Sequence, residues 1–71
     1  MGRVEMAIIR AITNSPNERL SVPDIADQVN AERDLVYHIL QDWVRSGYAA
    51  KLDHSEYCLT LSGESDYEHN I

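Results

Sequence analysis

Ile25-Ala26-Asp27-Gln28-Val29-Asn30-Ala31-Glu32-Arg33-Asp34-Leu35-Val36-Tyr37-His38-Ile39 is the stretch whose reading decides the fold. Ala26 is small at a point where two helices must cross closely. Asn30 follows where a tight turn needs a left-handed backbone, a conformation Asn tolerates better than most residues other than Gly. Val36 and Ile39 then supply the apolar spacing that packs a second helix against the first. These offsets are those of a helix-turn-helix.

Upstream, Ser21-Val22-Pro23-Asp24 reads as a capping box, with the Ser21 hydroxyl serving a free N–H and Asp24 reaching back. Proline is welcome in a first turn, where its missing N–H has no intrahelical partner. A helix is therefore predicted from Val22 or Pro23 to Val29, burying Ile25, Ala26 and Val29. The next runs from about Ala31 to Arg45 or Ser46, with Val36, Ile39, Leu40, Trp43 and Val44 as its buried stripe. Gly47 stands where glycine closes helices.

An earlier helix is marked by Val4, Ile8 and Ile12, with Ala7 and Ala11 beside them. Thr13-Asn14-Ser15-Pro16-Asn17 ends it in turn formers. Met6 and Ile9 widen its apolar surface beyond one packing face. Two readings of that width stand: a central helix touched on two sides by its own domain, or a homodimer contact through Met6 and Ile9.

After Gly47 the period changes to two. Tyr48, Ala50 and Leu52 alternate with Ala49 and Lys51, and Tyr57, Leu59 and Leu61 alternate with Cys58 and Thr60. Two strands joined at Asp53-His54-Ser55 are predicted, and Leu20-Ser21-Val22 could add a short third. The expected architecture is mainly α with a small β-hairpin (α+β): three helices followed by a two- or three-stranded wing. The domain spans 1–63, and 64–71 reads as an acidic, flexible tail.

Ile25-Ala26, Val36, Leu40, Trp43, Ser46-Gly47-Tyr48-Ala49 and Leu59-Thr60-Leu61-Ser62-Gly63 together resemble the winged helix-turn-helix of small prokaryotic regulators, the arsenic-repressor-like and multiple-antibiotic-resistance-regulator-like groups. The resemblance covers about 43 residues, Ser21–Gly63. It implies a transcriptional regulator that reads duplex DNA with the helix from about Ala31 to Arg45. Arg33, Tyr37, His38 and Gln41 would then meet base edges, Arg45 would stand at the far end of that helix, and Lys51 and His54 in the wing would cover phosphates. Gln suits adenine and Arg suits guanine through paired hydrogen bonds.

Charge pulls the other way. The 71 residues carry a formal net charge of −6, from 12 acids against 6 Lys and Arg. A reader of duplex DNA is expected to show a basic stripe, because phosphate neutralisation supplies most non-specific affinity. Here Glu32, Asp34, Asp42, Asp53 and Glu56 share the region with the cations. The alternative is an acidic winged-helix protein–protein interaction module that does not touch DNA, docking on a partner with a basic surface through Tyr37, His38 and Tyr48.

Nothing in the sequence points to an enzyme. There is no glycine-rich phosphate loop and no zinc-protease pattern, and His38, His54 and His69 are too scattered for a triad. His54 and Cys58 without clustered partners make a poor metal site, and no cofactor is expected. Cys58 is the sole cysteine, so no internal disulfide is available. With no apolar run long enough to span a membrane, the expectation is a cytoplasmic protein.

Overall fold

The computed structural model describes residues 2–60. Its elements run α1 (Arg3–Thr13), β1 (Arg19–Ser21), α2 (Val22–Val29), α3 (Arg33–Ser46), β2 (Ala49–Lys51) and β3 (Glu56–Leu59). Leu61, the Ser62-Gly63 end of the resemblance block and the acidic segment 64–71 lie outside the described residues.

Each boundary has a local cause. At the start of α1, the Glu5 carboxylate accepts the Gly2 N–H at 3.3 Å. The turn after α1 closes with the Glu18 N–H donating to the Ser15 carbonyl at 3.0 Å. Pro16 is its second residue and left-handed Asn17 (φ 61°) its third, the placement a type II turn prefers. Ser21 Oγ accepts the Asp24 N–H at 3.4 Å at the head of α2, one half of the expected capping box. Asn30 closes α2 at φ 57°, ψ 48°, and Gly47 closes α3 at φ 84°.

Two boundaries differ from the sequence reading. Helix α3 begins at Arg33 rather than near Ala31, because Ala31 and Glu32 are used to leave the left-handed turn, and Glu32 sits extended at the N-cap (φ −70°, ψ 144°). Strand β1 is Arg19–Ser21, one residue earlier than Leu20–Val22, since Val22 already belongs to α2.

The sheet order is β1-β3-β2, antiparallel throughout. Leu20 pairs with Tyr57, Ala49 with Leu59 and Lys51 with Tyr57. Directly opposed residues share a face, so Leu20, Ala49, Lys51, Tyr57 and Leu59 lie on one side of the sheet. Arg19 and Glu56 lie on the other, where their side chains pair at 2.7 Å. Glu56 is thereby neutralised by Arg19. Thr60 ties the sheet to the end of α3, its hydroxyl donating to the Gly47 carbonyl at 2.6 Å.

The core gathers Ile8 and Ile12 from α1, Ile25 from α2, and Val36 and Leu40 from α3, all fully buried. Each such side chain contributes about 1.5–3 kcal/mol by leaving water. Ile39, Trp43 and Val44 pack on its edge, partly exposed, so the stripe on α3 is narrower than its hydrophobic pattern suggested. Ile9 is only 2% exposed. The first helix therefore does present two buried sides, and the dimer contact expected through Met6 and Ile9 loses Ile9 to the interior; Met6 stays half-exposed.

Candidate nucleic-acid interface

With α2 and α3 holding each other across Asn30, and β2 packed against α3, the outer side of α3 and the β2–β3 turn remain at the surface. Helical periodicity sorts the residues of α3 around its axis. Val36 and Leu40 point inward. Asp34, His38 and Arg45 lie on the opposite side, while Tyr37 and Gln41 occupy the flank toward the sheet.

Arg33 is exposed at the first position of α3. Tyr37 is 44% exposed, and its ring stands 5.9 Å from that of His38, tilted by 47°. Arg45 is at the far end, about 18 Å from Arg33 along a helix rising 1.5 Å per residue. These two arginines cannot address the same base step. Arg45 approaches Asp42 at 3.9 Å, with both side chains more than 70% exposed, a pairing too solvated to hold it. Leu35 is a second exposed large apolar side chain on α3, on the far side of the helix from Tyr37, that the sequence reading did not single out.

Gln41 is placed differently from the expectation. It is partly buried, and its Nε2 donates to the Tyr57 hydroxyl at 2.9 Å. The amide that was to read a base is engaged with a strand of the wing. Periodicity could place Tyr57 inward, but only the pairing of β3 with β2, the strand that packs against α3, brings its hydroxyl to Gln41.

The wing turn Asp53–Glu56 closes with the Glu56 N–H donating to the Asp53 carbonyl. Its two central residues, His54 (φ 62°) and Ser55 (φ 60°), are both left-handed, as primed hairpin turns require. His54 is exposed at the tip, and Lys51 is exposed at the end of β2. Between α3 and the wing lies a recess of about 220 Å³ lined by Val22, Pro23, Tyr37, Lys51, Ser55 and Tyr57. The structure thus brings together Tyr37 and Lys51, and joins Gln41 to them through Tyr57. Arg33, His38 and Arg45 share the helix but not the recess.

Elsewhere, an open groove of about 520 Å³ runs between α1 and the end of α2, rimmed by Arg3 and Arg10 over Met6, Ala7 and Val29. Among the described residues no group of three or more His, Cys, Asp or Glu is placed to hold a metal ion. No described helix is long and apolar enough to cross a membrane.

Three helices and a three-stranded antiparallel sheet in this order make a winged-helix domain. No protein-family model and no curated protein matches the sequence. Among solved structures the chain is similar to ligand-free NadR, with a TM-score of 0.78 and 25% sequence identity over 97% of this chain. It spans about half of that protein, 51% of its length. The likeness supports a winged-helix regulator fold.

Proposed function

We propose that this domain binds duplex DNA as a small transcriptional regulator of the winged helix-turn-helix kind, close in character to the arsenic-repressor-like and multiple-antibiotic-resistance-regulator-like groups. The observation that carries the reading is the junction of α3 and the wing, where exposed Tyr37 and Lys51 border one recess. Helix-turn-helix domains lay the first residues of the second helix on base edges. Arg33, Tyr37 and His38 occupy that part of α3. Lys51 and His54 then fall to the backbone, and Arg45 to a phosphate beyond the read bases. The NadR-like fold supports a regulator role by analogy of architecture.

A second reading has an observation in its favour. The acids Glu32, Asp34 and Asp42 are all exposed on or beside α3, within a chain of net charge −6. They would suit a docking face for a basic protein. Fluorescence anisotropy with labelled random duplex, titrated at 50 and 200 mM salt on about a 1–100 μM protein scale, separates the two. Regulator binding weakens steeply between those salts. Absence of binding at 50 mM, beside retention on a basic polypeptide, would favour the docking module.

A further inference from the structure

Tyr57 is 3% exposed, yet it lines the recess beside Lys51, its cross-strand partner. Its hydroxyl oxygen accepts the Gln41 amide N–H at 2.9 Å. Among the described residues it makes no other hydrogen bond. A phenol that accepts through oxygen still has a proton to donate. Because Tyr57 lines the recess, that proton is available to an acceptor entering it.

We infer that Gln41 is a positioning residue rather than a base reader: it orients the Tyr57 hydroxyl so that this proton, with the Lys51 ammonium, holds one phosphate oxygen of the bound DNA backbone. The inference rests on the DNA-binding reading above and deepens it. The charge at the site agrees with an anion there. Lys51 supplies the charge from the sheet face it shares with Tyr57. Base readout then falls to Arg33, Tyr37 and His38, three to eight residues before Gln41.

The test is a set of full-length variants, Tyr57→Phe, Gln41→Ala, their double and Lys51→Ala, titrated against random duplex and against the best-bound sequence over a salt series. Tyr57→Phe should weaken both duplexes about three- to tenfold, the scale of one hydrogen bond. The salt slope and base preference should stay as in the wild type, because no charge and no reader was removed. Gln41→Ala should match it, and the double variant should be no weaker than either single one. Lys51→Ala, in contrast, should lower the slope by about one. Thermal unfolding midpoints identify any variant whose loss is one of folding, and Tyr57→Phe keeps the core volume.

A Gln41→Ala protein that relaxes preference at one base pair, with Tyr57→Phe silent, would make Gln41 a reader and overturn the inference. Additive losses in the double variant would also overturn it, since Gln41 would not act through Tyr57. If the wild type bound no duplex at 50 mM salt, the DNA reading would itself fall. That outcome is distinct from both.

Discussion

Replacing Lys51 by Ala gives the sharpest quantitative test of the assigned face. Three fixed cations stand on α3 and the wing: Arg33, Arg45 and Lys51. If each neutralises one phosphate, log K against log salt should fall with a slope of about −2.7, at 0.9 per phosphate on B-form DNA. A rise from 50 to 200 mM salt then weakens the wild type about 40-fold. Without Lys51 the slope becomes about −1.8, and the same rise costs only about 12-fold. The assay is anisotropy of a labelled duplex at four or five salt concentrations, which reads the slope independently of absolute affinity. A Lys51→Ala slope equal to that of the wild type would place Lys51 off the backbone. A wild-type slope near zero would mean that none of the three meets phosphate.

Three other outcomes are expected. Asn30→Ala forces a left-handed turn on a residue with a Cβ and no polar side chain to favour it. It should cost about 1 kcal/mol, a drop of about 4–8 °C in thermal midpoint, whereas Asn30→Gly should stay near the wild type. Leu40→Ala empties a fully buried site and should cost about 2–5 kcal/mol in urea titration, much of the roughly 4–11 kcal/mol a domain of this size commands. Asp42→Asn removes a carboxylate next to Arg45 and the expected backbone track. At about 8 Å in water one such repulsion is about 0.5 kcal/mol, so duplex affinity should rise about twofold.

What the sequence made legible was set by local chemistry. Asn30 and Gly47 announced left-handed helix ends, Ser21 a cap, and the change of period after Gly47 a hairpin, because each signal sits within a few residues of its effect. The start of α3 lies two residues beyond the position that apolar spacing predicts, since such spacing does not reveal how many residues the turn consumes. The order β1-β3-β2 was not legible at all: Arg19–Ser21 finds its partner far along the chain, across both helices of the motif. The same limit hid the commitment of Gln41 to Tyr57. Its polarity and place on α3 fitted a reader, and only the pairing of β3 beside β2, which packs on that helix, gives the amide another partner. Ile9 shows the limit for apolar residues, because a pattern marks a side chain as apolar without saying whether its own domain or a second copy covers it.

The acidity of the chain, set against where the charges lie, bears on the kind of binder this would be. Of the acids that stood against DNA binding, Glu56 is held by Arg19 on the outer face of the sheet. Asp34 and Asp42 remain on α3, interleaved with Arg33 and Arg45, so that helix carries two charges of each sign. Attraction to arbitrary duplex grows with the count of phosphates neutralised, and few cations here are unopposed. Contacts that depend on sequence are not diminished in the same way, because paired hydrogen bonds to base edges need placement rather than net charge. A balanced face of this kind loses more of its non-specific than of its specific binding. Discrimination is the ratio of the two, so under the proposed DNA-binding function a weak grip on random DNA would let three cations suffice for finding a site. Adding cations to α3, for instance through Asp34→Lys, should therefore tighten binding to random duplex more than to the preferred sequence. Equal gains on both, in paired titrations at one salt concentration, would show that charge balance has no part in selectivity.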